Sequence, residues 1–121
     1  MSFREKKLKS GVKVILGRDS KTNDELMKKF KGTYKTILHT VKPGSPFGII
    51  DSEDPSRKDV RETATFVARH SKDWRDNKGD VAVSVFTGKD AFKEGSMKEG
   101  TWGVKKSRKV LVKKEDISRI R

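Results

Sequence analysis

The chain has no cysteine among its 121 residues. Disulfides, thiolate nucleophiles and cysteine-built zinc sites are thereby excluded. It has two histidines, His39 and His70, too few for a His-rich metal site. No apolar run approaches the roughly 18 residues that a membrane span requires. The opening Met-Ser-Phe-Arg-Glu-Lys-Lys holds no apolar signal-peptide core. The expectation is a cytoplasmic chain with no cofactor, no metal and no membrane partner. Hydrophobic residues make up only 31% of the chain, and the mean hydropathy is −0.82. The core must therefore be lean, and at this length a single domain over 1–121 is expected.

Negative charge is the other shortage. Seventeen Asp and Glu face 30 Lys and Arg, for a formal net charge of +13. Such an excess repels itself and attracts polyanions, a statement about partners and not about fold. Each phosphate contact releases condensed counterions, which favours binding at moderate salt. The surplus points to nucleic acid as the partner. A merely solvated surface would account for many charges, but not for their imbalance.

The apolar residues come in patterned runs. A short basic segment at 4–8 and Val12–Leu16 flank the turn signal Ser10-Gly11, which predicts a hairpin. Gly17-Arg18-Asp19-Ser20 breaks the second strand. A helix follows over about 21–31, capped by Asp19, Ser20 or Thr22. Leu26, Met27 and Phe30 form its stripe, and Gly32 ends it. The β-branched stretch 33–41 predicts a strand, with Ile37, His39 and Val41 on one face. Pro43-Gly44 turns it into a short strand at 47–50. Pro55-Ser56 opens the longest predicted helix, to about Trp74, with Val60, Ala64, Val67, Ser71 and Trp74 on one face. Residues 80–86 alternate as a strand. Residues 87–100 form a glycine-rich loop, 102–112 a hairpin turning near Ser107, and 113–121 a charged, basic tail. The predicted fold is α+β, one domain with a core over about 3–115. A mainly antiparallel sheet of five or six strands carries two main helices.

Several short motifs stand in one order. Gly17-Arg18-Asp19 is followed by Asn23-Asp24; His39 precedes Pro43-Gly44-Ser45; Ser71-Lys72 closes the long helix; Lys89, Lys93, Gly95 and Gly100 precede the last predicted hairpin. This order resembles the NFACT-R domain, found at the carboxyl end of the Rqc2/RqcH/NEMF proteins. The resemblance covers about residues 3–115. It implies an RNA-binding module of the kind that engages tRNA and the large ribosomal subunit, here in stand-alone form. The sequence departs from the family pattern at 93–95, where Lys-Glu-Gly stands in place of Lys-Pro-Lys-Gly.

The candidate nucleic-acid-binding residues are Arg18, His39, Ser45, Arg69, Lys72, Lys89, Lys93, Lys105, Lys106, Arg108 and Lys109. Gly17, Asp19, Asn23, Asp24, Gly44, Ser71, Gly95 and Gly100 form the structural motif. Two roles fit most of them. Arg18 either forks onto a phosphate beside the helix start or pairs with Asp19 or Asp24. Asn23 either caps the helix or bonds the neighbouring turn. His39 is either a satisfied residue on an apolar face or a ring that stacks a base or contacts a phosphate. Ser45 either meets phosphate or stabilises its turn. Lys72, at the predicted helix C-terminus, either answers the helix dipole or joins Arg69 and Arg75 in a basic stripe. The four cations around Ser107 are either a solvated tip or an RNA contact. No nucleophile, orienting partner or carboxylate cluster is evident. The expectation is a non-catalytic binder of structured RNA, tRNA or rRNA, with the ribosome as a further partner. DNA, an RNA-processing enzyme subunit and a ribosome-associated adaptor are the alternatives.

Overall fold

A computed structural model of the chain describes residues 3–120. Six strands form one antiparallel sheet: β1 (Arg4–Lys7), β2 (Lys13–Leu16), β3 (Thr36–Thr40), β4 (Gly48–Ile50), β5 (Val81–Thr87) and, after a two-stranded ribbon, β8 (Arg108–Val112). Their spatial order is β1-β2-β4-β3-β5-β8. The ribbon pairs β6 (Ala91–Phe92) with β7 (Gly103–Val104). The helices are α1 (Ser20–Phe30), α2 (Arg57–Arg69), α3 (Lys72–Asn77) and α4 (Lys114–Ser118).

The period-2 alternation divides the core between the two faces of the sheet. Leu38, Ile50, Val81, Val83 and Val112 pack against Val60, Ala64 and Val67 of α2 and against Ile117 of α4. Ile37, Ile49 and Phe86 point the other way, onto Leu26, Met27 and Phe30 of α1. Leu38 on central β3 is fully buried; truncating such a side chain to Ala costs about 2–5 kcal/mol. Both long helices start with a capping box, Asp19 with Thr22 and Ser56 with Asp59. Each N-cap contributes about 1 kcal/mol. Asp59 also accepts the Ser10 hydroxyl at 2.7 Å, which ties the first hairpin to α2.

The first two hairpins form as predicted, and the sheet with its two main helices is the expected α+β architecture. Four expectations fail. The long helix to Trp74 is two helices. Ser71 takes extended backbone, its hydroxyl accepts the Trp74 N–H at 3.1 Å and it donates to the Ala68 carbonyl. A serine that satisfies the backbone in this way competes with helix continuation. The segment 102–112 is not a hairpin, because β7 pairs with β6 and β8 pairs with β5. Burial of Val112 and Val110 on the α2 face draws β8 to the sheet. The segment 87–100 is not all loop, since it carries a 3-10 turn at Gly88–Asp90 and then β6. The expected tail holds α4, anchored by Ile117 in the core; Arg121 lies outside the described residues.

Candidate nucleic-acid interface

The motif residues, scattered in sequence, converge where the start of α1 meets the turn between β3 and β4. Asn23 on α1 is buried. Its Oδ1 accepts the Phe47 N–H at 3.0 Å and its Nδ2 donates to the Ser45 carbonyl at 3.3 Å. Its carboxamide occupies the space that a side chain at Gly17 would need. Asn23 is therefore a brace between helix and turn, not a cap. Gly44 has φ +94, a region that favours glycine. A Cβ there would stand 2.6 Å from Lys72 Cδ. The Gly44 carbonyl accepts the Lys72 N–H at 2.7 Å. That bond docks the start of α3 on the turn. Lys72 thus opens a helix, and the expected C-terminal dipole role does not apply to it.

Ser45 is buried and fully engaged: its hydroxyl accepts the Thr40 N–H and donates to the Pro46 carbonyl. It stabilises the turn and is not an exposed phosphate ligand. His39 is half-buried against Phe47, with ring centroids 4.4 Å apart. Its Nδ1 lies 2.7 Å from the Thr40 carbonyl, which can only accept, so Nδ1 carries the proton. Burial pushes the His39 pKa down, against the opposing pull of the Thr40 and Ser45 carbonyls. The ring is neutral near pH 7.

Asp24 clamps the other wall. Its Oδ1 accepts the Gly100 N–H at 2.8 Å and the Trp102 indole N–H at 2.9 Å, and it pairs with Lys93 at 3.5 Å. Burial raises its pKa, but the bonds from Trp102 and Gly100 and the Lys93 charge hold it below the ordinary carboxylate value. Lys93 also donates to the Lys98 and Thr101 carbonyls. The expected RNA-binding Lys93 is thus consumed inside the fold. Gly95 is exposed, with open space where a Cβ would sit; nothing in the structure requires glycine there.

Two depressions meet at this junction and share Ser20, Asn23, Gly44, Ser45 and Lys72. One, of about 400 Å³, is lined by Arg4, Arg18, Lys72 and Arg75 against the single carboxylate of Asp19. Among the described residues the Arg18 guanidinium has no ion-pair partner. Asp19 is spent on its cap and Asp24 on its clamp, so neither pairs with it. Arg75 forks onto Asp76. His70 lines this lobe and is exposed by area. Its pKa is nonetheless pushed down to about 4, first by the covered part of its ring, then by the charges of Arg4, Lys6 and Arg69. The shift of His70 thus reflects its partial burial first and the surrounding positive charge second. The other lobe, of about 520 Å³, is lined by His39, Phe86, Trp102 and Val104, with Lys72 and Glu99 as its charged residues.

The remaining cations do not join the groove. Lys89 stands over the exposed Tyr34 ring at 5.2 Å. Lys106 and Arg108 line a separate depression with Asp90, and the Lys105 N–H is held by the Asp90 carbonyl. Arg108 faces the α2 side, opposite Val85, whereas Lys109 pairs with Ser84 and through it with His39 on the cleft side. Four cations expected at one tip are therefore divided between two faces. Arg69 is half-buried, and its charge acts on His70. Sequence reasoning missed Arg4, His70 and Ser84. The Arg4↔Leu16 register places Arg4 beside the Gly17 loop, and aligning the first hairpin about Ser10-Gly11 would have found it.

The chain matches the family described as NFACT protein RNA binding domain over residues 2–106. It is 29% identical over 68 residues to the archaeal Rqc2 homolog aRqcH of Methanocaldococcus jannaschii, a match spanning 54% of this chain and 10% of that protein. Its fold is similar to the C-terminal structure of the fibronectin/fibrinogen-binding protein from Streptococcus suis, with a TM-score of 0.84 at 20% identity. That likeness covers 98% of this chain and 49% of the other. Among the described residues no helix is long and apolar enough to cross a membrane. With the family model spanning the groove and nearly all of the sheet around it, the chain belongs to the NFACT RNA-binding domain family.

Proposed function

We propose that the chain is a non-catalytic module that binds structured RNA, tRNA or rRNA, through phosphate contacts in the cationic lobe. The observation that carries this is the gathering of Arg4 from β1, Arg18 from the loop before α1, and Lys72 and Arg75 from α3 around the one lining carboxylate, Asp19. Arg18 is poised for a forked phosphate contact, since it has no competing ion-pair partner among the described residues. Lys72 is held at the junction by its own backbone bond to Gly44. The relative named as an Rqc2 homolog extends the proposal to ribosome quality control. The chain spans a tenth of that protein, so ribosome quality control enters the proposal as the setting of the RNA contact and not as an activity of this chain alone. Among the described residues no three His, Asp or Glu side chains gather as a metal-binding group.

The test is tRNA binding across a salt series. About three phosphate contacts, from Arg4, Arg18 and Lys72, give a log–log slope of roughly −2 to −3. A flat response, or equal affinity for an uncharged polymer, would refute the phosphate mechanism. Incubation with RNA and Mg2+ should leave the RNA intact, and RNase activity lost in His39→Ala with affinity preserved would refute the non-catalytic part. Competition between RNA and DNA of one sequence separates the two polyanions.

A further inference from the structure

The two lobes differ in charge, and that difference has a stereochemical meaning. The cationic lobe suits a phosphate. The second lobe carries one cation, Lys72, and one carboxylate, Glu99, and is otherwise aromatic, aliphatic and hydroxyl-bearing. A phosphate gains nothing there; a flat, neutral, hydrogen-bonding group does. We infer that this second lobe holds a single unpaired nucleobase of the bound RNA, with its phosphate in the cationic lobe across Lys72. The inference rests on the RNA-binding reading and names the part of the RNA that the site takes.

The volume, about 520 Å³, falls in the range of small-ligand pockets, roughly 300–1,000 Å³. Half-buried Trp102 supplies the accessible aromatic face, and every base has a π-face to stack. Trp102 is pre-set by its indole bond to Asp24, so little ordering remains for binding to accomplish. The hydroxyls of Ser84, Thr101 and Ser20 form no side-chain hydrogen bond among the described residues, and all three line the lobe. They are available to a base edge. A base inside a double helix cannot enter such a cleft, whereas loops, bulges and ends splay their bases outward. The ligand is therefore an unpaired nucleotide in an otherwise folded RNA.

The experiment uses the full chain and two blunt-ended duplex RNAs of matched length, one fully paired and one with a single-nucleotide bulge. Binding is followed by tryptophan emission and by competition. Trp74 is buried in the core, so a change in emission on binding reports Trp102, and Trp102→Phe assigns it by losing the signal. The bulged RNA should bind at least about fivefold more tightly, the lower end of stacking contributions, and should alone quench the emission. Ser84→Leu fills the lobe and should equalise the two affinities; Thr101→Phe, at an exposed position, does the same without altering the sheet. Equal affinities for the two RNAs in the unaltered protein, with no quenching, would overturn the inference and leave the RNA-binding reading standing. If neither RNA binds, both fall together.

Discussion

Replacing Asp24 should release one wall of the groove by a calculable amount. The carboxylate is only 13% exposed and takes three donors on one oxygen: the Gly100 N–H, the Trp102 indole N–H and the Lys93 ammonium. Hydrogen bonds to a charged group contribute about 1.5–3 kcal/mol each when nothing replaces them. Water can reach part of this site, since Lys93 and Trp102 are themselves only half-buried. Asp24→Ala should therefore cost about 2–3 kcal/mol, not the full sum. That lowers the melting temperature by roughly 6–15 °C for a domain of this size. Asp24→Asn retains an acceptor for Gly100 and Trp102 but loses the charge, and should cost about half as much. Urea unfolding followed by tryptophan emission measures both. A red shift of Trp102 emission below the main transition would show that the 93–102 segment detaches before the sheet melts. A cost under about 0.5 kcal/mol for Asp24→Ala would refute the clamp. So would equal effects of the two substitutions, because charge would then contribute nothing.

Gly44→Ala forces a Cβ into a positive-φ position beside the Lys72 side chain; it should destabilise by about 1–2 kcal/mol and weaken RNA binding as Lys72 shifts, both measurable on one preparation. Arg18→Ala should lower the magnitude of the salt slope by about 0.7–0.9 with little change in melting temperature; an unchanged slope would remove Arg18 from the interface. The joint change of Lys105, Lys106, Arg108 and Lys109 to Gln should weaken RNA binding less than Arg18→Ala with Lys72→Gln, because those four lie on two faces. The folded His70 pKa of about 4 lies below the unfolded value near 6.5. The unfolded chain thus binds the extra proton first, and stability should fall as pH drops from about 6.5 to 4, then level off. RNA that neutralises Arg4 and Lys6 should raise that pKa, which an NMR titration of the His70 ring reads directly.

What the sequence alone determined is what local chemistry determines. The alternation of Val81, Val83 and Val85, the stripe of Leu26, Met27 and Phe30, and the turn residues Ser10-Gly11 and Pro43-Gly44 specify strand, helix and hairpin within a few neighbours. The charge surplus named a polyanionic partner, and the order of the short motifs pointed to the family. The break at Ser71 was hidden because Ser71 keeps the apolar spacing of the helix; its hydroxyl bonds and the docking of Lys72 on Gly44 redirect the chain. The partner of β8 was hidden because a period of two does not say which strand lies alongside. The groove itself belongs wholly to tertiary structure. Lys93 looks as free as Arg18 in the sequence, yet Asp24, 69 positions away, captures it, while Arg18 has no ion-pair partner among the described residues. Which cations face a ligand depends on which carboxylates the fold has already committed, and those pairings form only when distant segments meet.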